Sequence, residues 1–254
     1  MLEARHLTKT YATIPAVADA SFEIRPGEIL GYLGPNGSGK SSTVNMLTGL
    51  LEPTRGHVAW RGRDIREQLL DYRRALGYVP EEPHLYAYLS AQEYLEMAGQ
   101  LRGLPQKPLQ EKIEGLLQLF GLHSSRHSAI SSYSKGMKQK VLISAALLHN
   151  PEVLIFDEPL SGLDVTTAMI FRHLLSELRA AGKIILYSSH VLEVVEKVAT
   201  RVVILHQGKV VAHDSVSNLR GLMSLPSLED IFSQLVLQED TESTARQMVE
   251  LMRL

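Results

Sequence analysis

Gly34-Pro35-Asn36-Gly37-Ser38-Gly39-Lys40-Ser41 follows the apolar run Ile29-Leu30-Gly31-Tyr32-Leu33 and opens a stretch of helical character, Ser42 to Leu50. Strand, glycine-rich turn and helix, in that order, form the setting in which this spacing cradles phosphates. Gly34, Gly37 and Gly39 let the backbone curl until successive N–H groups face inward, a shape that a Cβ atom obstructs. Pro35, Asn36 and Ser38 complete the loop, and Ser42 begins a helix whose N-terminal dipole favours an anion. Lys40 offers an ammonium to β- and γ-phosphates, and Ser41 a hydroxyl to Mg²⁺. A connector with no ligand would leave Lys40 unexplained. The stretch predicts a nucleoside triphosphate site in an α/β domain.

The chain of 254 residues suits one large α/β domain with an inserted subdomain. Its 26 Lys+Arg against 28 Asp+Glu give a net charge of −2, so general nucleic-acid binding is not expected. The lack of cysteine excludes disulfides, thiolate metal sites and thiol nucleophiles, and suits a reducing compartment. The longest apolar stretch, Val141 to Leu148, falls well short of the ~20 residues that a membrane-spanning helix needs. Met1 to His6 lacks the apolar core of a signal peptide. The expected location is the cytosol, with any membrane role supplied by a partner.

Leu2 to Leu7 and Ala16 to Ile24 alternate as half-buried strands do, and Pro26-Gly27 turns the chain into the central strand, so an antiparallel β layer precedes the loop. Short strands are predicted at Gly56 to Trp60 and Gly77 to Val79. Ala91 to Leu101, Pro108 to Phe120 and Lys135 to His149 carry helical spacing, which makes about 83–150 a helical insertion. From Val153 the pattern alternates again: strands at Val153 to Phe156, Ile184 to Tyr187 and Val202 to Leu205, helices at Val165 to Ala180 and Val191 to Ala199. Such alternation predicts a parallel sheet covered on both faces. Ser227 to Leu237 and Thr241 to Leu254 read as amphipathic helices in a tail, 221–254, behind the α/β domain.

Val153-Leu154-Ile155-Phe156 runs directly into Asp157-Glu158. Both acids are expected at the carboxyl end of a buried strand, where α/β ligands sit. Asp157 is placed to hold Mg²⁺ with Ser41 or through water, and Glu158 to orient and deprotonate an attacking water. Successive strand residues point opposite ways, which predicts different duties for the two acids. His123 and His127 have i,i+4 spacing, but Gly121, Ser124 and Ser125 suggest a loop. With no acid nearby in sequence, a metal site is not expected there.

With these motifs the chain resembles the nucleotide-binding subunits of ABC transporters, in motif order over residues 1 to about 220. The most specific segment is Tyr133-Ser134-Lys135-Gly136-Met137-Lys138-Gln139, similar to the family's signature motif in the form typical of exporter subunits. The resemblance implies that Ser134, Lys135 and Gly136 contact the γ-phosphate of ATP held by a second subunit, so that two ATP are sandwiched head to tail. Independently, Ser134 is a good N-cap, whereas Lys135 and Lys138 sit in the first helical turn, where the dipole disfavours cations; an anion docked there reverses that penalty. Ser161-Gly162-Leu163-Asp164 resembles the loop that communicates across the dimer, His190 the histidine at the γ-phosphate, and Tyr11 the aromatic that stacks on adenine. Glu81 stands where the family commonly has a glutamine contacting Mg²⁺ and water.

The resemblance further implies a partner that is a second copy or close relative, and an integral membrane permease. Pro83 to Tyr88 is expected at its docking groove. Glu81, Lys135 and the tail Ser227-Leu228-Glu229-Asp230-Ile231-Phe232 favour export, although import stays open. A soluble ABC ATPase acting on ribosomes or DNA is the alternative; it usually carries two nucleotide domains or a long coiled-coil insertion. A small-molecule kinase would have no use for the signature segment.

Overall fold

The computed structural model describes residues 1–236 and, beyond them, Arg246, Met248, Val249, Leu251 and Met252. The chain begins with strands β1 (Leu2–Tyr11), β2 (Ile14–Ile24) and β3 (Glu28–Leu33), then helix α1 (Lys40–Leu47), β4 (Arg55–Trp60), β5 (Arg63–Asp64), α2 (Leu69–Ala75) and β6 (Leu76–Val79). Helices α3 (Ala91–Leu101), α4 (Gln106–Leu119) and α5 (Lys135–Leu147) follow without an intervening strand. Alternation returns with β7 (Val153–Asp157), α6 (Val165–Ala180), β8 (Ile184–Ser188), α7 (Leu192–Val198), β9 (Arg201–His206), β10 (Lys209–Asp214), α8 (Val216–Met223) and α9 (Leu228–Val236).

Two sheets result. The larger has the order β10-β9-β3-β8-β7-β6, parallel except for β10; the smaller is antiparallel, β2-β1-β4-β5. Strands β3, β7 and β8 are buried along their whole length, as continuous apolar runs in a parallel sheet require. Their side chains alternate between two cores. Leu30, Tyr32, Val153, Ile155, Ile184 and Leu186 face the antiparallel layer and α1. Leu154, Phe156, Ile185 and Tyr187 face the helices on the other side.

Several elements depart from the sequence expectation. Helix α1 starts at Lys40 and stops at Leu47, short of the predicted Leu50, because Gly49 turns the chain at φ 70° and Leu50 N–H caps the Asn45 carbonyl at 3.0 Å. Strand β10 and helices α2 and α8 were not predicted. The amphipathic stretch from Ser227 forms α9, whose Leu228 and Ile231 are fully buried in the helical core. The second tail helix, 241–254, lies mostly outside the described residues.

The inserted helices are tied to the sheet by Arg102, at the end of α3. Its Nη1 donates to Arg73 O at 2.6 Å, to Leu76 O at 3.0 Å and to His149 Nε2 at 2.8 Å. Burial first, and then the Arg102 charge, lower the pKa of His149 to about 4, which keeps the ring neutral as an acceptor.

Candidate functional site

The phosphate loop, the acid pair and the histidine come together at the carboxyl ends of the central strands. A cleft of about 310 Å³ is lined by Asn36, Gly37, Gly39, Lys40, Ser41, Ser42, Glu81, Asp157, Glu158 and His190, with Ala16 at its edge. The loop is locked from outside: Gly208 N–H donates to Ser38 O at 3.0 Å, and Ala18 N–H to Gly208 O at 2.7 Å. Gly39 caps α1 at φ 103°, and a Cβ there would lie 2.2 Å from Ala16 O, so only glycine fits. Gly34, Pro35 and Ser38 form the base of the loop; Gly34 and Pro35 line an adjoining cleft.

Lys40 folds over its own loop, donating to Gly34 O at 2.5 Å and Pro35 O at 3.0 Å. Burial lowers its pKa, opposed by the carboxylates of Glu158, Asp157 and Glu81. Asp157 is buried, and its pKa is pushed up to about 6 by desolvation and by Glu81 and Glu158, with Ser188 and Lys40 pulling the other way. Acids crowded in this way call for a cationic ligand among them. Glu81 lines the same cleft, and its charge acts directly on Asp157.

Glu158 corrects the expectation of opposed strand neighbours. Strand β7 ends at Asp157, and Glu158 takes the left-handed conformation at φ 47°, so both acids line the same cleft. That conformation is uncommon for any residue but glycine. It is held by Glu158 N–H donating to Ser188 O at 2.9 Å, by Ser189 Oγ donating to Glu158 Oε2 at 3.2 Å, and by His190 Nδ1 at 2.8 Å from Glu158 Oε1. Sequence reasoning missed Ser189. A serine next to His190 was the available signal, but its partner lies 31 residues away in sequence.

Tyr11 ends β1 beside the loop, about half exposed. Its hydroxyl is 3.2 Å from Ser42 Oγ, and Lys9 Nζ lies 5.6 Å from the ring centroid. The signature residues are elsewhere. Ser134 caps α5 as predicted, accepting from Met137 N–H at 3.2 Å, and no acid occupies the first turn to offset Lys135 and Lys138. Gly136 packs on the 161–164 loop so closely that a Cβ would lie 2.4 Å from Gly162 O. Asp164 caps α6 through Thr167 N–H at 2.8 Å and pairs with Lys140 at 3.5 Å. Ser134, Lys135, Gly136 and Asp164 thus form one surface, apart from the cleft of their own phosphate loop. His123, by contrast, does have an acid near it: Glu114 of α4 pairs with it. Among the described residues no group of acids and histidines could hold a metal by itself.

A mainly parallel sheet with this loop after its central strand defines a phosphate-loop NTPase. The family model for the ABC transporter matches residues 17–161. The chain belongs to that family, as an ATP-binding, ATP-hydrolysing subunit. It is 42% identical over 210 residues to the ABC transporter ATP-binding protein YxlF of Bacillus subtilis (strain 168), covering 83% of this chain and 69% of that one. A solved ATP-binding subunit of an ABC transporter superposes with TM-score 0.87 at 34% identity, covering 92% of this chain and 99% of the other. The cassette MJ0796, solved as a dimer in a post-hydrolysis state with ADP and Pi, aligns with TM-score 0.79 at 26% identity, covering 85% and 98%. Among the described residues no helix is long and apolar enough to cross a membrane.

Proposed function

We propose that the chain pairs head to tail with a second copy or a close relative around two ATP, and drives a separate integral membrane permease, for export, from the cytoplasmic face of the membrane. The observation that carries this is the separation of the two phosphate-directed motifs. The surface formed by Ser134, Lys135 and Gly136 presents a cationic helix start and is absent from its own chain's cleft. Each chain therefore offers half of two sites, and the dimeric cassette MJ0796 supports the pairing. Residues 1–220 are the ATPase domain, with 83–150 inserted and 221–254 as the tail.

Within one site, Glu158 acts as general base, its two oxygens fixed by Ser189 and His190 so that one lone pair faces the attacking water. His190 also faces the γ-phosphate. Lys40 exchanges the Gly34 and Pro35 carbonyls for phosphate oxygens, and the Tyr11 ring receives adenine. Ser41 and Asp157 are oxygen donors lining one cleft, the set that a hard cation prefers; Glu81 stands beside them. A cation held by so few protein groups completes its shell with phosphate and water oxygens, as Mg²⁺ does. When bound, Mg²⁺ neutralises charge on the transferring phosphoryl group.

A groove of about 630 Å³ between α2, β6 and α3, lined by Leu50, Leu70, Arg73, Arg74, Tyr78 and Leu101, supports the permease. Leu70 and Leu101 are largely exposed there, a footing for an amphipathic cytoplasmic helix with acidic ends. Within the expected docking segment, Tyr86 and Tyr88 are exposed, whereas Leu85 packs on the core.

The test contrasts two substitutions. Lys40→Ala should lower the affinity of monomer for ATP. Ser134→Arg should leave that affinity within about twofold and abolish the ATP-dependent dimer seen by sizing. Equal loss of monomer affinity in both would overturn the composite site.

A further inference from the structure

The C-terminal segment returns to the catalytic end of the molecule. Phe232, on α9, lines a cleft of about 350 Å³ with Pro35, Asn36, Glu81, His190 and Leu192. Asn36, Glu81 and His190 also line the phosphate cleft, so the two spaces adjoin.

Helix α9 is firmly seated. Leu228 and Ile231 are fully buried in the same core as Val195 of α7, and Phe232 and Leu235 pack partly buried against it. Two polar ties converge on Glu196 of α7: Leu228 N–H donates to its Oε2 at 3.3 Å, and Arg220 Nη1 lies 3.4 Å from its Oε1. Helix α7 begins at Leu192, immediately beyond the loop that carries His190. Strand β8 fixes that loop on one side, ending at Ser188, and α7 fixes it on the other. The His190 side chain is 75% exposed and meets Glu158 through a contact of 2.8 Å, so its placement depends on how firmly the loop is held. Leu192 and Phe232 line the cleft beside that loop.

We propose that Phe232 is a positioning residue for the Glu158–His190 pair, which makes α9 a working part of the ATPase site. The inference rests on the role of that pair in hydrolysis given above. Removing the ring leaves Glu158, Lys40 and the loop intact but frees the His190 segment to shift, and small displacements of reacting groups cost up to about 10²-fold in rate.

The experiment measures kcat and KM for ATP in the full chain, with the melting temperature of each variant. Phe232→Ala should lower kcat about tenfold and leave KM within about twofold, because Lys40 and Tyr11 are untouched. Phe232→Leu should restore most of the rate. Leu235→Ala removes packing from the same helix but does not line the cleft; it should lose stability comparably while keeping kcat. Phe232→Ala combined with His190→Ala should be no slower than His190→Ala alone. An unaltered kcat in Phe232→Ala, an equal kcat loss in Leu235→Ala, or losses that multiply in the double variant would each overturn the inference. A slow His190→Ala with multiplying losses sinks this inference alone, whereas a fully active His190→Ala removes its premise as well.

Discussion

Acidification should loosen the joint between the inserted helices and the sheet, through His149. Its folded pKa of about 4 lies below the ordinary 6.5, so the unfolded chain takes up the proton first as pH falls. The stability supplied by the neutral ring is fully present above about pH 6.5 and is lost as pH falls through the window down to about 4. A displacement from 6.5 to about 4 corresponds to at most about 3 kcal/mol. Solvent screening of the partly exposed ring reduces this to about 1–2 kcal/mol, most of it lost by about pH 5. Urea unfolding of the parent and of His149→Gln at a series of pH values isolates the effect. The amide oxygen still accepts from Arg102 but cannot titrate, so the parent should lose about 1–2 kcal/mol more than the variant between about pH 7 and 5. Parallel curves would refute the reasoning, and would mean that the ring protonates as readily in the fold as in the open chain.

Two further outcomes concern the cleft. Glu158→Gln should retain ATP binding, since Ser189 can still donate to the amide oxygen, while turnover falls by about 10² to 10⁴; phosphate release at the parental rate would remove the acid from the chemistry. Glu81→Gln should retain hydrolysis but flatten its dependence on Mg²⁺, because one of the charges that crowd Asp157 is gone. Superimposable Mg²⁺ titrations of parent and variant would place the Glu81 charge outside the metal's reach.

What could be read in the sequence was whatever is encoded locally. The phosphate loop, the apolar run into Asp157 and the Ser134 cap each depend on neighbours within a few residues, and the structure reproduces their elements. Strand β10 escaped because it is an edge strand whose residues are at best half-buried, so its alternation is faint. The conformation of Glu158 was missed because nothing next to it demands φ 47°; the demand comes from Ser188, Ser189 and His190, brought in by β8. Phe232 looked like one more apolar position of an amphipathic helix. Only the fold shows that its face of α9 reaches the cleft.

The left-handed backbone at Glu158 sets stability against turnover at a single position. Holding a side chain there costs on the order of 1–3 kcal/mol, and a glycine would be free of that cost. The residue best for that backbone and the residue best for the reaction are therefore different residues. Glycine at 158 would relax the backbone but leave Ser189 and His190 without the carboxylate they hold. Sorting variants for folding alone would therefore weigh the relief of φ 47° at this residue against the loss of those two contacts.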